Sequence, residues 1–522
     1  SAPAPNANSA IGRFTPSSPY YYADGQISNF RYVKGTAVYT SSFKPPTKPL
    51  TAITNTKLLC CNKNTVTGST VTPGTITSHN TTQSITDTPF DDPAGFKFGA
   101  DRDQNIIKCG SYNGNANDDG PLVDVGFEPQ WIMIKNTGAN ESWHMMDCVR
   151  GIVTRRGASN SNTGNDAKLY ANSSAAENSL NDSISLTPTG FKVVNSNGDL
   201  NGNGNRMIYI AIRRSDGYVG KPAEVGTEVF NMVYGVGSTP PTFAPEIPVD
   251  FTFLRRPGTS ENWTTSARLI QGNYLFTNST NTEASDSAIA FDYNNGFHDT
   301  SGLTTYLSWS WKRHAGFDVI TYAGISATRS IAHNMGIAPE MMWIKSRTSG
   351  SQEWRVYHKG LNGGTNPQEY RMNLNDSGGE SNIGAGGMWD VPTDTHITLH
   401  SSGSTNFNSN DFIAMLFATT DVSKVGFWIG DGTNNRQITT GFQPRIILVS
   451  LANQGGGYGW QMMDSVRGFI GTGGSGNEIL RLDNTNQQSS QNTYFTPNAT
   501  GFTITESAFN GSSQNWVYYA HA

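Results

Sequence analysis

The chain has 522 residues, a net charge of −5 and a charged fraction of only 15%. That length exceeds what one hydrophobic core usually holds, so several domains are expected. The mild acidity without a basic patch speaks against nucleic acid as a partner. Apolar runs such as Ile446–Val449 are far too short for a bilayer-spanning helix, so no membrane insertion is expected.

Gly alone counts 56, and Asn, Ser and Thr supply the polarity that charged residues do not. Such residues populate turns. Aromatics at 11% are ample for packed cores. Together these features predict an all-β chain of antiparallel β-sandwich domains in series.

The numbering opens Ser1-Ala2-Pro3-Ala4-Pro5, without an initiator Met or a signal-peptide pattern. The expectation is a processed chain or a start that lies outside this numbering. Residues 24–39 alternate like a strand, and Thr56–Cys61 reads as a second one. These place a partial jelly roll at 1–61. The Thr/Ser-rich stretch that begins at Asn62 reads as a strand-poor arm or linker, over 62–102.

Four repeats follow, at 103–214, 215–316, 317–424 and 425–522, the second the most diverged. Each has an aromatic-Gly strand, a Phe/Ile-x-Pro turn, an apolar strand, a Trp and a closing aromatic strand. The turn prolines are Pro129, Pro245, Pro339 and Pro444, at spacings of 116, 94 and 105. The tryptophans Trp143, Trp263, Trp354 and Trp460 follow them by 14, 18, 15 and 16 residues. The first and fourth repeats share a longer signature, Trp143 to Gly151 and Trp460 to Gly468, carrying Asp147 with Arg150 and Asp464 with Arg467. The third repeat has neither the Asp nor the Arg. That favours a turn-fixing role for the pair over chemistry common to all copies. Trp143 is expected to be a buried core residue of its own domain, with few contacts between domains.

Cys60, Cys61, Cys109 and Cys148 are too few and too poorly spaced for a disulfide framework, and read as mostly buried thiols. No nucleophile elbow, zinc-protease, P-loop or dinucleotide motif occurs. No enzyme activity, cofactor or metal is therefore expected. His396 and His400 stand too far apart on a strand to share a metal. The Asp118–Gly120 and Asn195–Asp199 stretches read as polar turns rather than a calcium loop. Tyr306, Trp309 and Trp311 read as core, with sugar stacking the lesser alternative. No acidic pair for glycan cleavage stands out.

Residues 24–61, through Gly25–Arg31, Val33–Tyr39 and Leu58–Cys61, resemble the last strands of a laminin-G/concanavalin-like jelly roll found in marine phage structural proteins. Residues from about 103 onward resemble a repeat domain of unknown function, frequent in tail and virion proteins of marine phages, cyanophages among them. The matching features are Asn105–Tyr112, the Gly-Phe-x-Pro turns, the Trp-to-Arg-Gly signatures and Phe317–Tyr322.

The resemblance implies a structural part exposed on a bacteriophage particle, such as a tail fibre, spike or capsid appendage, assembled in the host cytoplasm and aiding attachment. Its expected partners are further copies of the chain, other virion proteins and a host-surface glycan. A lectin or adhesin and a tailspike glycan depolymerase are the alternatives. The open strand edges of the first 90 residues point to a multimer, a trimer first, mounted by its N-terminal region with the fourth sandwich distal.

Overall fold

Runs of Val, Ile and aromatic residues form the strands, and Asn/Gly-rich stretches form the turns between them, as β-propensity dictates. The computed structural model of the chain describes residues 10–11, 27–40, 49–63, 65–78, 106–153, 166–178, 182–214, 223, 225–300, 304–454, 458–470, 478–490 and 494–522. The expected strand start at residues 24–26 and the matching residue Asn105 lie outside them, as do residues 79–102 of the expected arm.

The chain divides into two units, Ser1–Gly95 and Phe96–Ala522. In the first, Phe30–Val33, Thr56–Cys60 and Ser69–Val71 form a three-stranded antiparallel sheet in that order. Phe30 pairs with Cys60, and Leu59 with Val71. The third strand, three residues long, lies in the described part of the expected arm and pairs beside Leu59 and Cys60.

The second unit is built from four large antiparallel sheets of one topology. The first strands are Ile107–Asn113, Phe230–Tyr234, Phe317–Ala323 and Ser423–Ile429. Each pairs with the last strand of its repeat: Arg206–Arg213, Leu307–Trp311, Asp411–Phe417 and Asn515–His521. Beside the last strand lies the strand after the turn: Pro129–Asn136, Phe251–Arg255, Met341–Ser346 and Ile446–Leu451. The strand after the tryptophan comes next: His144–Asp147, Thr264–Ala267, Arg355–His358 and Gln461–Asp464. A return strand follows: Leu169–Tyr170, Asn273–Phe276, Tyr370–Asn373 and Glu478–Arg481. The diverged second repeat thus keeps the full strand order.

One face of each large sheet packs on smaller strands of its own repeat, except in the second, where Phe243, Phe291 and Phe297 from segments held by isolated bridges take their place. In the fourth repeat Ile447, Val449 and Trp516 meet Phe495, Phe502 and Ile504. In the third, Met342, Ile344 and Leu416 meet Ile331, Trp389 and Leu399. Successive side chains on a strand point to opposite faces, so the residues between these are left for the other face.

In repeats two to four that other face is buried too. Leu307–Trp311 and Asn515–His521 are buried at every residue, and Asp411–Phe417 at every residue but Asp411. The second faces meet in a shared core that includes Trp309, Trp311, Trp343, Phe417, Leu448 and Tyr519. Rings touch across each pair of repeats: Phe251 and Phe317 at 5.8 Å, Phe417 and Tyr519 at 5.0 Å, Phe230 and His521 at 4.9 Å. Contacts between these repeats are therefore extensive, which corrects the expectation of few. A sheet carrying large apolar residues on both faces must find cover on both.

Candidate functional site

The repeat signature places its residues at matching points of the sheets. Gly126, Gly336 and Gly441 adopt φ of 83°, 69° and 100°, a left-handed conformation that favours glycine. Pro129, Pro339 and Pro444 are buried beyond them. Each stands three residues before Ile132, Met342 or Ile447, whose partners Met146, Tyr357 and Met463 fix the register. Pro245 is buried but stands seven residues before the equivalent Thr252, which pairs with Ser266. Val249, not Pro245, holds the corresponding place.

Trp143, Trp263, Trp354 and Trp460 each stand one residue before the third strand of their sheet. The backbone N–H of the first three donates to Asn172, Asn278 and Asn375 Oδ1 at 3.0, 2.9 and 2.9 Å. The side chains then diverge in fate. Trp263, Trp354 and Trp460 are fully buried, whereas Trp143 is half-buried, a correction to its expected place in the core.

The three buried indoles close a ring of repeats. Trp263 Nε1 donates to the backbone carbonyl of Arg481 at 2.8 Å. Trp460 Nε1 donates to that of Asn373 at 2.9 Å, and Trp354 Nε1 to that of Phe276 at 2.9 Å. The acceptors are themselves equivalent, since Phe276, Asn373 and Arg481 pair with Thr264, Arg355 and Gln461, each next to its tryptophan.

A second set of backbone bonds runs round the same ring. Glu283, Glu380 and Gln488 donate N–H to the carbonyls of Arg347, Ala452 and Pro257 at 2.9, 2.5 and 2.7 Å. Repeats two, three and four thus form a closed pseudo-threefold assembly within one chain. The buried pair Arg347 Nε–Glu283 Oε2, 2.6 Å apart, adds charge to one of its seams.

Asp147–Arg150 and Asp464–Arg467 are built alike. Each carboxylate accepts the backbone N–H of its Arg, at 2.8 and 3.0 Å, and the Arg Nε, at 2.6 and 2.7 Å. Each Arg also donates to a carbonyl two residues before the Asp, Met145 or Met462. The strand ends at the Asp and the chain turns, so Arg comes back onto the carboxylate instead of facing away along a strand. Gly151 and Gly468 close the turns at φ of 120° and 107°. In the fourth repeat Asp464 Oδ2 also accepts the Trp309 indole at 3.1 Å. Both carboxylates thus face donors of their own turn, which gives the pair a turn-fixing task.

The first repeat meets the ring through apolar residues continuous with the shared core and through buried charge. Glu128 Oε1 takes Arg313 Nη1 at 2.5 Å and Arg214 Nη1 at 3.2 Å. Asp318 Oδ1 lies 3.2 Å from Arg313 Nε, and Asp250 Oδ1 3.1 Å from Arg268 Nε. These groups come from three repeats and satisfy one another, as buried charges must.

The remaining candidates do not converge. His400 bonds Asp390 at 2.9 Å while His396 is exposed beside Thr395. Asp118 and Asn195–Asp199 do come together, but Asp118 Oδ1 accepts Ser196 N–H, and buried Asn201 ties Asn115, Asn117 and Asn195. Trp309 and Trp311 are core residues, and Tyr306 lies under Arg256.

Cys60 and Cys148 are buried, Cys61 is half-buried and Cys109 is exposed. Among the described residues no group of three His, Cys, Asp or Glu could hold a metal. One carboxyl pair absent from the sequence reading is Glu141 with Asp199, where Asp199 raises the Glu141 carboxyl.

Four large antiparallel sheets, three with a smaller second sheet and one covered by loop segments, define an all-β repeat protein in which repeats two, three and four are locked in a ring by their tryptophans. The chain belongs to the family described as Domain of unknown function (DUF7483), which matches residues 48–215 and 249–522. No curated protein matches it.

Proposed function

We propose that this chain is a structural component exposed on the surface of a bacteriophage particle, a tail fibre, spike or capsid appendage that aids host attachment. The observation that carries the reading is the ring of Trp263, Trp354 and Trp460, each donating to the main chain of the next repeat. It gives a block in which no repeat can open alone. Such a block suits a part that transmits load and resists proteases outside a cell. The charge-poor Asn/Ser/Thr/Gly surface agrees with that setting. Copies of the chain and other virion proteins are its partners, and a host-surface glycan is the ligand such a role calls for, bound with avidity through many copies.

The test is immunogold labelling of purified particles with antibodies to the chain, alongside mass spectrometry of the particles. The expected result is label at one fixed exterior location. Absence of the chain from washed particles defeats the proposal.

A further inference from the structure

The first repeat has the same sheet as the other three, yet among the described residues one of its faces is only partly covered. Its last strand, Arg206–Arg213, alternates between buried and partly exposed residues, with Ile208, Ile210 and Ile212 on the partly exposed side. Ile210 pairs with Met133 as Trp309 pairs with Phe253, Met415 with Trp343 and Tyr519 with Leu448. The counterparts of Ile210 and Met133 in repeats two to four are all buried in the shared core. Cys109, exposed in the first repeat, corresponds to Met232, Val319 and Val425, which are buried there. An apolar sheet face of this extent marks an interaction surface, and the chain itself shows what covers such a face: two more sheets of the same kind.

The ring's bonding groups are present as well. Tyr170, paired with His144, stands where Phe276, Asn373 and Arg481 offer their carbonyls. Trp143 Nε1 makes no hydrogen bond among the described residues. Glu177 precedes Asn178, the partner of Lys168, as Glu283 precedes Ala284, Glu380 precedes Ser381 and Gln488 precedes Ser489. Lys135 matches Lys345 and Arg255, which reach across the ring to the carbonyls of Thr280 and Thr485. The Tyr170 carbonyl accepts Ser173 N–H at 3.1 Å, as that of Phe276 accepts Ser279 N–H at 3.4 Å beside the Trp354 indole, so it keeps a lone pair for a second donor. Lys135 Nζ turns back to the carbonyls of Asn136 and Ala139 within its own repeat.

We propose that this face binds the first repeats of two further copies of the chain, closing a threefold ring between chains on the pattern that repeats two, three and four form within one. In it Trp143 Nε1 donates to the Tyr170 carbonyl of a neighbour, and Glu177 N–H to the Thr137 carbonyl of the next. The proposal goes beyond the particle reading and stands on repeat geometry alone. Purified chain in solution tests it, whereas labelling of particles tests the other, so either can fail without the other.

The experiment is light scattering of the full chain with native thiol alkylation mapped at Cys109, repeated for Ile210→Glu and Trp143→Phe. The expected mass is three times the 56.5 kDa of the chain, with Cys109 protected. Ile210→Glu is expected to give monomers with Cys109 reactive and an unchanged circular dichroism spectrum. Trp143→Phe is expected to lower the assembly constant by about a hundredfold, one hydrogen bond being lost at each of three interfaces.

Dilution of the unaltered chain keeps the test open if Ile210→Glu misfolds: Cys109 protection should fade in step with the trimer mass. A monomer or dimer overturns the proposal. So does a trimer with reactive Cys109, which would be joined elsewhere, and so does protection that persists in monomers, which would mean that another segment of the chain covers the face.

Discussion

The indole of Trp263 donates its hydrogen bond to the carbonyl of Arg481, 218 residues further along the chain. That single contact joins the second repeat to the fourth and skips the third. It is repeated by Trp354 and Trp460 with their own acceptors, and it makes stability a property of three repeats together.

Removing one ring tryptophan should therefore unfold more than its own sheet. Trp460→Ala is expected to cost about 3–5 kcal/mol, the usual loss for a fully buried Trp. Limited proteolysis should then cut repeats two, three and four with one shared time course. Trp143→Ala, at a half-buried site, should cost dilute chain no more than about 2 kcal/mol. Equal costs at the two sites would contradict the ring.

The seam between repeats two and three depends on Glu283 and Arg347, whose side chains are 0% and 1% exposed. Glu283→Ala leaves the guanidinium buried without its carboxylate. A loss of about 3–5 kcal/mol is expected by chemical denaturation. Replacing both residues by apolar ones of similar volume should recover much of it. A single-variant loss below about 1 kcal/mol would show that the pair is not sealed from water.

The two Asp–Arg turns offer an internal comparison. Arg467 and Asp464 side chains are 1% and 0% exposed, against 25% and 18% for Arg150 and Asp147. Asp464→Asn should cost several kcal/mol, since it leaves a buried Arg unpaired and weakens the Trp309 contact. Asp147→Asn should cost about 1 kcal/mol, because water screens that pair. Thermal unfolding of the two variants measures the difference directly.

Acid should weaken the ring through its histidines. Burial drives His358 and His521 down to about 3, and burial with the nearby His521 and Lys312 also lowers His314. Folded, these rings stay neutral; unfolded, they titrate near 6.5. The folded state therefore binds fewer protons, and its advantage is full above pH 6.5 and lost as pH falls toward 3. Each such histidine removes about 1.4 kcal/mol per pH unit in that window. His358 Nδ1 accepts Gly360 N–H and its Nε2 faces the Tyr518 carbonyl. His358→Asn should make the fall between pH 6 and 4 shallower. An unchanged slope in urea titrations at those pH values would exclude this histidine as a contributor.

The amino-acid sequence by itself determined the all-β class, the four repeats and the positions of their tryptophans and closing strands. These are local matters: strand alternation, turn glycines and a motif at near-regular spacing are written along the chain. The turn role of Asp147–Arg150 and Asp464–Arg467 was likewise legible, because the third repeat has neither residue. Pro245 misled, since four further residues in that turn moved it out of register, and register is fixed by pairing across strands.

Only the tertiary structure decided that repeats two to four share one core. In sequence a Trp covered by a neighbouring repeat reads the same as one covered by its own. The full burial of Trp460 and the half-burial of Trp143 follow from which sheets lie opposite, a relation between residues of different repeats that no local pattern records.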